Sequence, residues 1–275
     1  MMRLTLTAAA LALTASGALA QDIVRMGTEG AYPPFNYIND AGELAGFEIE
    51  LGNELCERAG LTCEWVINDW DTIIPNLVAG NYDTIIAGMS ITEARSAVIS
   101  FTQAYIPPDP SAYMALAGAD ESVADGIVAV QSNTIQAGIV ADSDATLVEF
   151  PTPDETIAAV RSGQADAVLA DKAYLLPFVS DSGGALVFVG DEIYPGEGVG
   201  MGFRQSDNEF RATFDAVIGE MKADGSLNAL LDKWFGDTVP GFCPACMRRG
   251  RAEGRPVSLD NGPDNGPATR NQQGA

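Results

Sequence analysis

The chain has 275 residues, no histidine, and 38 acidic side chains against 15 lysines and arginines, for a formal net charge of -23. Such an acidic surface repels phosphate backbones and argues against a nucleic-acid partner. Without histidine there is no Ser-His-Asp triad, no Cys-His pair and no His-containing zinc site, so no metal or cofactor is expected and most routes to an enzyme are closed.

The first twenty residues are predicted to be a signal peptide, residues 1–20. Arg3 supplies the charged start, 4–13 an apolar run and Ala18-Leu19-Ala20 a small-residue cleavage motif. The apolar run is too short to span a bilayer. No cysteine follows the cleavage motif, so a lipoprotein is not expected, and the product is expected in the periplasm. A strand is predicted over 23–28 and a helix over 47–58, where Phe47, Leu51 and Leu55 recur every four residues and Gly60 stops it. A strand of apolar and β-branched residues follows over 62–67. Asp71 is predicted to cap a helix over 72–79, with Pro75 in its first turn. A buried strand is predicted over 82–87, a short helix capped by Thr92, and an extended segment over 101–106.

A second unit alternates in the same way. Strands are predicted over 127–130, 146–150, 165–170 and 186–189, and helices over 134–140, 154–162 (capped by Asp154 and ended by Gly163) and 172–179. A strand then returns to the first unit over 197–204. Helices over 208–223 and 227–234, separated by Gly225, close the fold. Alternating strands and helices imply parallel sheets covered by helices on both faces, an α/β class, and the length supports two small domains. From Thr238 onward Arg, Gly, Pro, Asn and Gln dominate, so residues 238–275 are expected to be a disordered tail. It is locally basic; a solvated tail is preferred over a contact with the acidic body or an anionic lipid.

Two segments about sixty residues apart carry the most specific signal. The first is Gly27-Thr28-Glu29-Gly30-Ala31-Tyr32-Pro33-Pro34-Phe35 and the second Ser90-Ile91-Thr92-Glu93-Ala94-Arg95. Phe47-Glu48-Ile49-Glu50-Leu51 and Trp70-Asp71 lie between them. Together, and in this order, they resemble the periplasmic solute-binding proteins of polar amino-acid ABC transporters (family 3, the lysine/arginine/ornithine/histidine/opine-binding type). The resemblance runs from about Asp22 to Gly236. It implies a type II periplasmic-binding-protein fold, with two α/β lobes joined by a hinge that the chain crosses twice, near 107–112 and 193–199. Lobe 1 would be 22–108 plus 198–237, and lobe 2 would be 109–197.

The resemblance implies a site in which named residues supply what an α-amino acid needs. Arg95 offers a planar fork of donors that matches a carboxylate, beside the hydroxyls of Ser90 and Thr92 and the N–H groups of a helix start. Taken alone, Arg95 could be a surface arginine and Thr92 only a cap. Asp171 ends a strand, where ligands bind in open α/β sheets, and would take the ammonium; the alternative is a cap for the helix starting at Lys172. Tyr32 and Trp70 would wall the ligand or else pack in the core, where Phe35 and Phe47 are placed. Glu29 would meet a far cationic end or else be an exposed loop acid. Gln131-Ser132-Asn133-Thr134 matches the family's Gln-Gly-Thr-Thr loop with two departures, and Thr134 could donate to the ligand carboxylate. Ala87 stands where relatives often carry serine. Asp166 is read as a structural turn residue.

Cys56 and Cys63 lie across a helix end and the next strand. In an oxidising compartment they read as a structural disulfide, and relatives share the spacing. Cys243-Pro244-Ala245-Cys246 follows the last helix, unlike a thioredoxin-type site, and is read as a disulfide or two thiols in the tail. The expected partners are a free amino acid (arginine, lysine, ornithine, histidine or an opine) and an ABC-transporter membrane permease, with the binding protein a monomer. The main rival is an enzyme on the same fold, a cyclohexadienyl dehydratase acting on prephenate or arogenate through cleft acids. A sensor domain for a membrane receptor is a third class, without an attached kinase segment.

Overall fold

Strand β1 (Val24–Thr28) is buried along almost its whole length, because neighbours cover both faces. The computed structural model describes residues 23–242; the predicted signal peptide, Cys243 and Cys246 lie outside the described residues. After β1 come three short antiparallel strands, β2 (Ala31–Tyr32), β3 (Asn36–Ile38) and β4 (Leu44–Ala45). Helix α1 (Phe47–Ala59) buries the Phe47, Leu51 and Leu55 stripe and ends at Gly60 in the left-handed conformation. Its start needs Gly46: φ is +124°, and a Cβ there would lie 2.3 Å from the Phe35 carbonyl oxygen. β5 (Cys63–Ile67), α2 (Ile73–Val78), β6 (Thr84–Ile85), α3 (Glu93–Ser96) and β7 (Ile99–Phe101) follow.

The chain then builds a second unit: β8 (Ser111–Leu116), β9 (Ile127–Gln131), α4 (Ile135–Ala141), β10 (Thr146–Phe150), α5 (Pro153–Ser162), β11 (Ala167–Asp171), α6 (Lys172–Asp181) and β12 (Leu186–Ile193). It returns through β13 (Gly202–Arg204) and closes with α7 (Asn208–Asp224) and α8 (Ser226–Phe235). The first sheet has the order β5-β1-β6-β13-β7 and the second β10-β9-β11-β8-β12. β1, β5 and β6 are parallel, as are β9, β10 and β11, whereas β13 and β8 run antiparallel to their neighbours. Period-two side chains divide the second sheet's core: Ala129 and Val168 pack on one face, Val128, Val130, Ala167 and Leu169 on the other. The first sheet packs α1, α7 and α8 into a separate core.

The two segments that pass between the sheets are tied to each other. Tyr105 N donates to the Val199 carbonyl at 2.8 Å and Val199 N to the Ile106 carbonyl at 2.9 Å. The structure has the two-lobed, twice-crossed α/β architecture expected from the sequence.

Several local expectations are corrected. Asp71 does not cap α2; it lies inside a 3-10 turn (Trp70–Thr72), and its carboxylate is used elsewhere. Thr152, not Asp154, caps α5, in a capping box with Glu155. Strand β8 is not predicted from the sequence, because Pro107, Pro108 and Pro110 mark its approach as irregular. The ordered chain continues past Thr238: Val239 is buried, and the Asn228 side chain bonds the Phe242 backbone at both N–H and carbonyl. Cys56 and Cys63 form a disulfide.

Candidate ligand cleft

Glu29, Tyr32, Trp70, Ser90, Arg95, Thr134 and Asp171 come from five separate stretches of sequence, yet all line one cleft between the two sheets. Its space, open mouth included, is about 330 Å³, at the small end of small-molecule sites. Thr92 does not line it. The Thr92 hydroxyl accepts from Arg95 N at 3.2 Å and caps α3, which places Arg95 rather than touching the space.

Arg95 is half-buried. Its Nη1 donates to the Ser90 carbonyl at 2.9 Å and its Nη2 to the Asn133 carbonyl at 3.1 Å. Its guanidinium carbon lies 5.3 Å from the centre of the Trp70 ring, a favourable cation–π distance. Among the described residues no carboxylate lies within ion-pair distance of it. Burial draws its pKa down to about 10, while the more distant Asp171 opposes the shift; it stays charged at neutral pH. The buried Trp70 Nε1 has no hydrogen-bond partner.

At another wall Glu29 follows β1. Gln131 Nε2 donates to it at 2.6 Å from across the cleft. Burial raises its carboxyl to about 7; the Gln131 bond lowers it, and Asp69, Asp71 and Glu48 raise it further. No lysine or arginine among the described residues pairs with it.

Asp171 ends β11 and makes no side-chain cap to α6. Its carboxylate instead accepts from Tyr32 OH at 3.0 Å and Gln136 Nε2 at 2.8 Å, with Ser111 Oγ at 3.4 Å. Burial raises its pKa and these bonds oppose the rise. Tyr32 lies flat on Tyr174 of α6, with ring centres 4.3 Å apart. Thr134 caps α4, and its hydroxyl donates to the Gln131 carbonyl at 2.7 Å. That proton is therefore already committed within the loop. Asp166 accepts from Ile127 N, a structural role as read from the sequence.

A row of bonds crosses the cleft beside Arg95. Asp71 Oδ1 accepts from Ser132 Oγ at 2.6 Å and Asn133 Nδ2 at 2.9 Å. Asn133 has φ +57°, the left-handed region, unlike every other non-glycine among the described residues. The lobes are closed on each other in this form.

The model for bacterial extracellular solute-binding proteins, family 3, matches residues 24–237. This chain is a family 3 solute-binding protein. The binding protein is 32% identical over 233 residues to the L-arginine-binding protein of Pseudomonas aeruginosa, covering 79% of this chain and 90% of that one. It is 31% identical over 240 residues to the lysine/arginine/ornithine-binding periplasmic protein of Escherichia coli, covering 82% and 92%. Among solved structures, it shares 67% identity and a TM-score of 0.77 with a periplasmic His/Glu/Gln/Arg/opine family-binding protein from Silicibacter pomeroyi in complex with lysine, over 80% of this chain and 100% of that one.

Several residues in or directly behind the binding protein's cleft are not found by sequence reasoning. The sequence marks Gln131 only as part of a loop, and Gln136, Ser111 and Tyr174 not at all. Their signal is tertiary: Gln136 meets Asp171 from 35 residues away, a spacing no local motif records.

Proposed function

We propose that this protein captures an α-amino acid with a basic side chain by lobe closure in the periplasm and delivers it, as a monomer, to an ABC-transporter permease. The observation that carries this reading is Arg95: a charged, desolvated guanidinium facing the cleft with two carbonyl partners and, among the described residues, no carboxylate. A ligand α-carboxylate completes it. Asp171 receives the ammonium, Tyr32 and Trp70 flank the stem, and Ser90 lies beside the carboxylate. Glu29 takes the far cation, since a buried acid without a cationic partner favours a ligand that brings one. Thr92 and Thr134 act through the helix starts they cap. Residues 22–108 with 198–237 form lobe 1 and 109–197 form lobe 2; a ligand touching both stabilises the closed state. The relatives named for arginine and for lysine, arginine and ornithine, and the lysine complex, support the same ligand class.

The test is a melting-temperature panel on protein stripped of bound ligand by unfolding and refolding. It contains arginine, lysine, ornithine, histidine, glutamine, glutamate, an opine and prephenate. A binder of the native state raises the melting temperature, and a basic amino acid is expected to do so most. A response to glutamine or glutamate alone would remove the role given to Glu29. The second reading, dehydration of prephenate or arogenate, draws on a cleft acid with a pKa of about 7, suited to general-acid work. Turnover of prephenate would establish it.

A further inference from the structure

Beneath the cleft lies a carboxylate that the binding reading does not use. Glu48 is in the first turn of α1 and has no exposed surface. Burying a carboxylate costs several kcal/mol unless it is fully bonded, yet no lysine or arginine among the described residues pairs with Glu48. Its compensation is a set of donors from three segments. Gly88 N donates to Oε1 at 2.6 Å, the Tyr105 hydroxyl donates to the same oxygen, and Asn36 Nδ2 donates to Oε2 at 2.6 Å. The positive end of the α1 dipole adds to this.

The chain of bonds continues toward the ligand space. Asn36 Oδ1 accepts from Gly30 N at 2.7 Å, next to Glu29. Gly88 lines the cleft, with φ +61°. Tyr105 belongs to the first crossing segment and is bonded to Val199 of the second. One carboxylate therefore joins the Glu29 loop, the turn before Ser90 and the hinge. The bonds from Gly30 to Asn36, from Asn36 to Glu48 and from Gly88 to Glu48 have a fixed direction, because the backbone N–H groups of Gly30 and Gly88 can only donate.

We propose that Glu48 is a positioning residue whose two acceptor oxygens set the direction of this hydrogen-bond chain, and so fix the backbone on both sides of the ligand. Glu48→Gln keeps the shape and replaces one acceptor by a donor. If the new amide keeps its oxygen toward Gly88 and Tyr105, its NH2 faces the Asn36 NH2. If Asn36 then turns over, its own NH2 faces Gly30 N. The mismatch is passed along the chain to the residue beside Glu29. Asn36→Asp in the same molecule removes it, because the introduced carboxylate accepts from both the glutamine NH2 and Gly30 N.

The experiment compares wild type, Glu48→Gln, Glu48→Gln with Asn36→Asp, and Asn36→Ala, which removes the acceptor of Gly30 N and the donor to Glu48 Oε2 but leaves the Gly88 and Tyr105 bonds to Oε1. Amide exchange of the ligand-free proteins is measured at Gly30 and Gly88, and lysine affinity is measured well below each melting temperature. Glu48→Gln is expected to speed exchange at one or both amides and to weaken lysine binding about tenfold, with the double variant restoring both to within about threefold of wild type. Asn36→Ala is expected to speed exchange at Gly30, whose acceptor it removes, more than at Gly88, whose acceptor Oε1 it keeps, and it carries the test if Glu48→Gln does not fold. Unchanged exchange in both single variants, or a double variant no better than Glu48→Gln, would overturn the proposal. Its effect on affinity rests on the amino-acid-binding reading; the exchange rates need no ligand, so a wild-type protein that ignores lysine would count against that reading and leave the positioning role to the amides.

Discussion

The floor of the cleft and its walls both bury charge, and they are built in opposite ways. On the floor, Glu48 has each oxygen met by donors from its own chain. In the walls, among the described residues, Glu29 has one side-chain donor and no cation, Arg95 has carbonyls and no carboxylate, and Trp70 Nε1 has no partner. Buried polar groups in folded proteins are normally satisfied. A bonded group away from open space, such as Glu48, marks scaffold; an under-bonded one facing the cleft marks what the chain leaves to a ligand, and Asp171, which lines the cleft with three donors of its own, lies between the two. The distinction is more informative than acidity, since 38 carboxylates do not by themselves say which matter.

The largest expected effect breaks the comparison at Arg95. Arg95→Ala should weaken basic amino-acid binding about 100-fold or more, because the ligand carboxylate would be desolvated and unpaired. Titration calorimetry checks this, and unchanged affinity would remove Arg95 from the site.

Next is Glu29. Glu29→Gln should weaken binding of lysine or arginine about tenfold at pH 8. The wild type should bind a basic ligand progressively less well as pH falls below about 7, where Glu29 takes up a proton. The ligand-free protein should show the opposite trend in stability. Its folded pKa lies above the unfolded carboxylate value, so this contribution is fully present below about 4.5 and is lost as pH rises through about 7. The difference is on the order of 3 kcal/mol. Melting curves of wild type and Glu29→Gln across pH 4–8 isolate it: the variant should gain relative stability as pH rises, and parallel curves would show that Glu29 is not buried as described.

A smaller effect is expected at the junction of the walls. Asp71→Ala removes two exposed cross-cleft bonds and should weaken binding about threefold, mostly through faster release, as stopped-flow dissociation would reveal. The smallest change in affinity is expected from replacing both Cys56 and Cys63 by alanine. It should cost about 2 kcal/mol of stability by loop-closure entropy while leaving the dissociation constant unaltered, because the bridge lies in neither floor nor wall. A weaker ligand affinity in this variant would mean that the α1 end and the cleft are coupled.

What can be read from the sequence follows the range of the forces involved. Period-four apolar residues and a glycine stop specify α1, and the alternation of strands and helices specifies the class. Glu29, Tyr32, Trp70, Ser90, Arg95, Thr134 and Asp171 are singled out as candidates by the family's motifs, and each stands near the end of a strand or the start of a helix. Asp71 misleads because an acid before a helix is usually a cap; its actual partners lie 61 and 62 residues away. Asp154 misleads for a related reason, since Thr152 and Glu155 cap that helix together. Glu48 looks like a solvated first-turn acid, and only the approach of Tyr105 from 57 residues away reveals it as a buried centre. Local rules find the elements, and long-range pairing decides which polar residues they bury.

The bonds from Asp71 to Ser132 and Asn133 join the lobes through protein atoms alone. Part of the free energy of shutting is then intrinsic to the protein, and each 1.4 kcal/mol so supplied raises the ratio of shut to open empty molecules about tenfold. A transporter that recognises shape would meet those empty molecules as false signals. The same contribution lowers the solute concentration needed for half-capture. Scavenging power and fidelity are therefore set against each other in part by a carboxylate at the lip of the cleft, and a cell living on scarce solute would favour the first.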